Sequence, residues 1–448
     1  VAPTATVPCL ARSVALVALG CPKNLVDSEH VLGSFALAGY RVTTDTAKAD
    51  VVVVTTCAFL EAAVRESNDA IRRLLKARNR RPGQRVVVAG CLVERLKTLP
   101  GDMPEGIDLL VDLRGMSHIP ELLDPELRTR KGARTIAGGV GRRRHKAFPR
   151  LLSTPSHYAY LKIADGCDNR CTYCLIPSIR GPRRSRPIPE IIREARSLAR
   201  LGVKEIVLVA QDTSAYGTDI YRRPALPRLL RRLAEIRRIR WIRLMYTHPA
   251  HVDASLLDAY RSNPKLCRYI DLPIQHVSDR ILGHMNRRYT RRVLEDLLLR
   301  LRTIPEMRIR TTVIVGFPGE TEAEFRELLD FLGSARFDRL GAYAYSPEPG
   351  TAAARLSAQL PAELRSRRLS RVMATQAAIS RGNLRRLKAR TLKVLMDSPV
   401  TGRTEWDAPE IDGIVRLEGG TGTPGSLVAA RVIRTLTHDL IARPLREG

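Results

Sequence analysis

Short, continuous apolar runs and longer stretches of helical period alternate along most of this chain. The first three runs are Val14–Leu19, Val51–Thr56 and Val86–Ala89. None shows the in-out alternation of a half-exposed strand, so each predicts a strand buried on both faces of a parallel sheet. A helical pattern follows each run, over 27–38, over 60–78 and from Val93 onward. The repeat of roughly thirty-five residues suits βα units with right-handed crossovers. Between Pro125 and Pro155 the pattern lapses, and Gly138-Gly139, Arg142-Arg143-Arg144-His145-Lys146 and Pro149 read as an exposed basic linker.

From Ser153 to about Gly382 the alternation resumes. Strands are expected at Tyr158–Ile163, Glu205–Ala210, Ile242–Tyr246, Tyr269–Leu272, Arg310–Val315 and Leu340–Tyr345. Helices are expected at Pro189–Leu201, Leu226–Ile236, Ala254–Arg261, Thr290–Arg302 and Glu322–Ser334. Six such units argue for an incomplete parallel barrel rather than a closed eight. After the amphipathic stretch Pro361–Lys388 the period changes. Short strands at Thr391–Met396, Gly413–Leu417 and Ser426–Arg434, with turns at Gly419-Gly420 and Pro424-Gly425, predict a small all-β module of OB-like size, suited to RNA or protein. The expected fold is α/β with domains 12–125 (parallel sheet), 153–382 (barrel) and 383–446 (all-β), and a linker at 126–152.

Composition changes this picture little. Seventy-five Lys and Arg against 46 Asp and Glu give the 448 residues a net charge of +29. That balance suits a polyanionic partner such as RNA or the ribosome. An excess of Arg over Lys and abundant Ala point equally to a compositional drift of the genome. No apolar run approaches the ~18 residues of a membrane helix. The run ending in Gly20-Cys21 has only Arg12 ahead of it and reads as a strand rather than a lipoprotein signal.

The cysteines add chemistry. Cys167, Cys171 and Cys174 stand at a CxxxCxxC spacing in one loop after the first barrel strand. Soft thiolates converging in this way select zinc or an iron–sulfur cluster. A structural zinc would want a fourth nearby ligand, and none stands in the segment, whereas three ligands fit a four-iron cluster with one iron open. The plain alternative is a chance grouping or a zinc knuckle. Cys21, Cys57 and Cys91 each follow one of the first three strands. They therefore fall on one edge of the sheet, at the carboxyl ends where ligands bind, and could hold one cluster; separate buried structural thiols are the alternative. Cys267 reads as a small buried residue and Cys9 as incidental. Metal-ligand spacings in a long chain imply a reducing compartment rather than disulfides.

Several motifs resemble one family. Ala18-Leu19-Gly20-Cys21-Pro22-Lys23-Asn24-Leu25-Val26-Asp27-Ser28-Glu29 is similar to the opening motif of the methylthiotransferases, radical S-adenosylmethionine (SAM) enzymes, and its Pro-Lys-Asn form resembles the RimO branch. Ile176-Pro177-Ser178-Ile179-Arg180-Gly181, Gln211-Asp212-Thr213-Ser214-Ala215-Tyr216-Gly217 and Asp271-Leu272-Pro273-Ile274-Gln275-His276 continue the resemblance. So do Gly316-Phe317-Pro318-Gly319-Glu320-Thr321, Tyr345-Ser346-Pro347-Glu348-Pro349-Gly350-Thr351 and the RimO-type Asp407-Ala408-Pro409-Glu410-Ile411-Asp412-Gly413. Thr55-Thr56 and Arg287-Arg288 depart from the usual pattern without touching a thiol.

The resemblance implies an N-terminal methylthiotransferase domain, a radical SAM barrel and a C-terminal TRAM module. It implies a methylthio group added to the β-carbon of an aspartate in small-subunit ribosomal protein S-twelve, with a tRNA adenosine as the rival substrate. Two 4Fe-4S clusters are implied, one on Cys167, Cys171 and Cys174 that binds and cleaves SAM, one on Cys21, Cys57 and Cys91 that supplies sulfur. A different class of reading is a non-catalytic iron–sulfur RNA-binding or electron-transfer protein. An electron donor such as flavodoxin or ferredoxin, a cytoplasmic location and no membrane partner also follow from the resemblance. For SAM contacts the candidates are Tyr173, Gln211 and the turn Gly316, Gly319, Glu320, where glycines allow close backbone approach. Gln275 and His276 follow a strand, with a structural role for His276 favoured.

Overall fold

The computed structural model describes residues 12–78, 81–99, 101–123 and 150–445. The basic run Arg142–Lys146 and Cys9 lie outside these residues. By its contacts the chain forms two units, 1–153 with 178–180, and 154–177 with 181–448.

In the first unit the apolar runs become strands β1 (Ser13–Ala18), β3 (Val51–Thr56) and β4 (Arg85–Gly90), with two short strands, β2 (Arg41–Val42) and β5 (Leu109–Val111). The sheet is parallel, in the order β2-β1-β3-β4-β5. The three long strands are thus neighbours in register, with Val17 against Val54 and Val54 against Val88. Every residue of β3 is buried, as a run of four valines without alternation requires. Val31 and Phe35 of the first helix join Val14, Val51, Val53, Val87 and Ile119 in one core. That helix runs from Pro22 to Leu37, earlier than the expected start at Asp27. Proline at its first position and Cys21 as its N-cap explain the early start. Glu29 is fully buried on it and accepts hydrogen bonds from Arg150 Nε at 2.6 Å, Ser153 N at 2.7 Å and Ser153 Oγ at 2.9 Å. A buried carboxylate so satisfied pins the returning chain.

In the second unit strands β6 (Tyr158–Lys162), β9 (Glu205–Val209), β10 (Trp241–Leu244), β11 (Leu266–Asp271), β12 (Arg308–Val315) and β13 (Arg339–Ala344) form one parallel sheet in chain order. A small pair, β7 (Ala164–Asp165) and β8 (Arg184–Ser185), brackets the cysteine loop. The C-terminal module is a closed barrel of β14 (Thr391–Met396), β15 (Thr401–Arg403), β16 (Val415–Leu417), β17 (Leu427–Thr435) and β18 (Leu440–Pro444). β15 and β18 were not foreseen, being too short or too polar to stand out as apolar runs. The helix Ala362–Arg385 precedes this module.

One contact set shows how the six-stranded sheet curves. Tyr158 OH of β6 donates to Glu410 Oε1 at 2.7 Å, and Arg243 Nη1 of β10 donates to the Glu405 carbonyl at 2.7 Å. Glu205 of β9 pairs with Arg403 at 2.7 Å, and Tyr269 OH of β11 donates to Asp412 at 2.7 Å. Arg310 of β12 pairs with Asp412 at 2.7 Å, and Arg339 of β13 pairs with Asp407. All six strands therefore reach Arg403 or the segment after it, 405–412, which a flat sheet could not do. The segment plugs the barrel near the amino ends of its strands and makes barrel and C-terminal module one unit. The carboxylates of the RimO-type motif Asp407–Gly413 are engaged by the barrel floor, so the motif also records how the C-terminal module is seated.

Candidate functional site

The thiols of the first unit sit where three adjacent strands end. Gly20 and Gly90, at φ +100° and +105°, turn the chain out of β1 and β4. A Cβ at Gly20 would stand 2.8 Å from the Cys57 Cβ, so only glycine lets the loops carrying Cys21 and Cys57 approach. Cys21 caps the helix Pro22–Leu37 and Cys91 opens the helix Cys91–Leu96. Cys91 is therefore already on the helix, two residues before the expected start at Val93, and its thiol sits at the positive end of a peptide dipole.

Asn24 wires the three loops together. Its Nδ2 donates to the Leu19 carbonyl at 3.2 Å and the Thr56 carbonyl at 2.8 Å, while its Oδ1 accepts from Arg180 Nη2 and from the Cys91 thiol at 3.5 Å. Arg180, which belongs to this unit, is buried and also donates to Cys91 Sγ at 3.4 Å and to Asp27 at 3.3 Å. Burial raises the Cys91 thiol to about 11 despite Arg180. Burial also works against a Cys21 thiolate, but the charges of Lys23 and Arg180 outweigh it and hold Cys21 below the ordinary thiol range. Cys57 is raised, mainly by burial. Asn24→Ala removes the bonds to both strand ends and to Arg180. It should cost about 1–3 kcal/mol, read as an earlier urea midpoint.

In the second unit Gly166, at φ +73°, starts the loop of the other triple, and a Cβ there would lie 2.1 Å from the Pro182 carbonyl oxygen. The loop is tied down on several sides. Cys167 N donates to the Gly181 carbonyl at 3.1 Å, Asn169 Nδ2 to Asp212 at 2.9 Å, and Thr172 N to the Met285 carbonyl at 3.1 Å. Asn286 Nδ2 donates to the Arg170 carbonyl at 2.7 Å. Burial raises Cys167 and Cys174, the latter to about 12.

Arg287 was expected to belong to a departure that touches no thiol, which the fold corrects by bringing this arginine onto Cys171. It is 5 % exposed and donates to Cys171 Sγ at 3.5 Å, to the Pro273 carbonyl at 2.8 Å and to Tyr289 OH at 2.8 Å. In sequence it is one arginine among many, and burial is what distinguishes it. Asp212 was likewise missed. It accepts from Asn169, from Ser214 Oγ at 2.6 Å and pairs with His251 Nδ1 at 2.7 Å. Burial disfavours its charge, but the His251 contact outweighs this and holds the carboxyl far below its usual range. His248 beside it is lowered to about 3 by burial and by Arg287, and is neutral.

The expected SAM contacts divide. Tyr173 packs with Ile281, Met285, Phe317, Tyr345 and Ala353. Gly316 and Gly319 have φ of +71° and +80°, but the space beside Gly316 is filled by Arg365, whose Cγ would lie 2.4 Å from a Cβ there. Glu320 turns inward, accepting from Gly316 N and from Phe317 N at 3.0 Å and pairing with Arg368 at 3.2 Å. It shapes its own turn. His276 is buried, and its Nδ1 accepts from Ser278 N at 3.0 Å, in keeping with a structural role. Gln211 Nε2 donates to Asp165 at 3.2 Å. Its Oε1 and that of Gln275, the latter at φ +65°, are buried without a hydrogen-bond partner among the described residues. Both follow barrel strands, and orphaned acceptors of this kind suit a ligand bearing N–H donors.

Among the described residues no three Cys, His, Asp or Glu are placed to hold a single metal ion. The thiols of each triple nevertheless raise one another's pKa by mutual charge, and none is in a disulfide. Three thiols with a guanidinium on one of them, twice over, fit an anionic sulfur-rich group larger than one ion. Cys267 is buried, with Arg243 and Glu205 among its charged neighbours. No helix among the described residues is long and apolar enough to cross a membrane.

Family models match three parts of the chain: the uncharacterized protein family UPF0004 over 13–112, the radical SAM superfamily over 161–332 and the TRAM domain over 390–445. A ribosomal protein uS12 methylthiotransferase RimO from Pelotomaculum thermopropionicum is 44 % identical, over 95 % of this chain and 98 % of that protein. The RimO proteins of Moorella thermoacetica, at 43 % identity (94 % and 96 % covered), and Trichlorobacter lovleyi, at 40 % (97 % and 99 %), are similar over as much of the chain. Among solved structures the radical SAM methyltransferase TsrM from Kitasatospora setae matches with a TM-score of 0.57 at 16 % identity, covering 77 % of this chain and 74 % of that one. That likeness is one of fold.

Proposed function

The chain belongs to the RimO family of ribosomal protein uS12 methylthiotransferases, and on that premise we propose that it replaces a hydrogen on the β-carbon of a uS12 aspartate by a methylthio group. The observation that carries the reading is the pair of thiol triples, each at the carboxyl ends of parallel strands and each with a buried arginine on one sulfur. Cys167, Cys171 and Cys174 would hold the 4Fe-4S cluster that binds SAM, and Cys21, Cys57 and Cys91 a second one. The saturated carbon has no useful acidity, so side-chain acids and bases cannot activate it, and SAM with these clusters would supply radical chemistry and the methylthio sulfur.

The protein's own groups have separable tasks. Arg180 and Arg287 offset negative charge on the thiolates they touch, which would otherwise be costly to bury. The Gln211 and Gln275 carbonyl oxygens accept N–H groups of SAM, Tyr173 offers an apolar surface, and the Gly316–Glu320 turn, held by Glu320, lines the cofactor with its backbone. The packed barrel keeps water from the reacting carbon.

The same reading takes 12–125, 153–382 and 383–446 as the three domains, with 126–152 as a linker. It places the enzyme in the cytoplasm, served by an electron donor of the flavodoxin or ferredoxin class. Arg431 and Arg443 stand directly opposite each other on exposed positions of β17 and β18. Like charges so paired weaken a sheet, which supports contact of this face with ribosomal RNA. Mass spectrometry of uS12 and of bulk tRNA from a deletion strain tests the substrate. The methylthio group should vanish from uS12 and persist on tRNA; the reverse pattern would make the tRNA adenosine the substrate.

A further inference from the structure

A cavity of about 250 Å³ lies where β13, the helix Ala362–Arg385, the end of the plug segment and the turn between β17 and β18 meet. Two polar atoms of the residues that line it are buried without a hydrogen-bond partner among the described residues: Gln376 Oε1 and Arg339 Nη1. Gln376 is 3 % exposed, and its Nε2 already donates to the Phe337 carbonyl at 3.0 Å. Arg339 gives its other terminal nitrogen to Asp407. One acceptor and one donor are thus left over, and leaving both unanswered is costly. The rim differs from this interior. Met373 and Ile411, which also line the cavity, are 41 % and 47 % exposed.

Water alone satisfies the two polar atoms, but it gains nothing from an exposed Met373 and Ile411. An anion is no better suited. The lining sets two guanidiniums, Arg310 and Arg339, against three carboxylates, Asp338, Asp412 and Asp439. Burial, and then the charge of Arg339, hold His438 below 6.5, so it is neutral. The group that fits is uncharged and flat, with apolar faces and an edge that carries both N–H and acceptor atoms. A nucleobase has this description, and bases taken out of a stack are held in this way, by their edge and between apolar side chains. A peptide amide shares the edge but lacks the faces. The volume, under the ~300 Å³ at which pockets for drug-sized ligands begin, takes one ring system. Outside the mouth the charge changes. Residues four apart on a helix lie one above the other, so Met373, Ala377, Arg381 and Arg385 form one ridge. The first two line the cavity. The other two are exposed arginines with no carboxylate partner among the described residues, and the charge of Arg381 reaches His438 on the cavity wall. We propose that this cavity binds an unpaired RNA base, with Arg381 and Arg385 holding the phosphates beside it. The inference stands apart from the aspartate reading, because it concerns where RNA is gripped and not which residue is modified.

The test is fluorescence anisotropy with the reconstituted full-length protein and two labelled probes. One is a short single-stranded RNA of mixed sequence, the other the same sugar–phosphate strand without bases. The RNA should bind about 10-fold more tightly than the base-free strand. Ala377→Phe, which fills the cavity, should remove most of that advantage and leave both base-free binding and SAM cleavage unchanged. Replacing Arg381 and Arg385 together by alanine should weaken both probes alike and lower the salt slope by about 1.4. Should Ala377→Phe fail to take up iron, Gln376→Met removes the acceptor instead and should cut the advantage in the same direction. Equal binding of the two probes by the wild type, or an undiminished advantage in the cavity variant, overturns the inference. So does a cavity variant that binds RNA normally but has lost a uS12 peptide, which would make a protein segment the occupant. Failure of the aspartate reading shows separately, as uS12 without a methylthio group, and leaves this inference standing.

Discussion

Cys171→Ala should abolish reductive SAM cleavage, whereas Cys91→Ala should leave SAM cleavage in place and abolish methylthio transfer. Each variant should retain about half of the iron of the wild type after anaerobic reconstitution. The expectation follows from the independence of the two thiol sets. Cys171 lies in a loop anchored by bonds that do not involve its sulfur, including Cys174 N to the Cys171 carbonyl at 3.1 Å. Its truncation therefore removes a ligand without releasing the loop. Cys91 begins a helix whose backbone is held at Leu92 N by Thr56 Oγ1 at 3.2 Å, so its truncation likewise leaves the strand ends in place. Iron analysis and 5′-deoxyadenosine assays read the two effects separately. If both variants lose all iron, or if Cys91→Ala still transfers a methylthio group, the division of labour is wrong.

Glu205→Ala should cost about 3–5 kcal/mol of stability, the penalty for stranding buried charge. Glu205 is fully buried between Arg243, at 2.6 Å, and Arg403, at 2.7 Å, and both guanidiniums would lose their shared carboxylate. Arg403 also pairs with Asp397 at 2.9 Å, and Asp397 with His157 at 2.7 Å, so the loss would spread into the seating of the C-terminal module. Urea unfolding should show the loss as an earlier midpoint, and replacing Glu205 together with both arginines by apolar residues should recover much of it. Acid acts in the same direction. Burial disfavours the Glu205 carboxylate, but Arg243 and Arg403 hold it below its ordinary value of 4.5. Its contribution is thus complete above that value and is lost as the pH falls through the depressed one. A midpoint that does not move in Glu205→Ala would mean the plug is not part of the cooperative fold.

Much of the fold was legible because its strands are buried on both faces. Val51–Val54 admits no other reading, and β6, β9, β10 and β11 stood out for the same reason, whereas β12 alternates and β13 is only half-buried. β15 and β18 escaped, since a strand of three residues, or one ending Ala-Arg-Pro, leaves no apolar run to recognise. The cysteines were legible by spacing and by topological position. Arg180, Arg287 and Asp212 were not assigned to the site, because their roles come from contacts across long sequence distances in an arginine-rich chain. The Gly316–Glu320 turn was legible from its glycines, both at positive φ, but the packing of Arg365 beside Gly316 and the engagement of Glu320 with the turn itself were not.

The most direct measurement is mass spectrometry of purified uS12, or the small subunit carrying it, after incubation with the anaerobically reconstituted protein, SAM and a reductant. The account predicts a methylthio group on a single aspartate, absent when Cys91 or Cys171 is replaced by alanine. Abundant SAM cleavage with uS12 unmodified, and methylthiolated adenosine appearing in added tRNA instead, would contradict it.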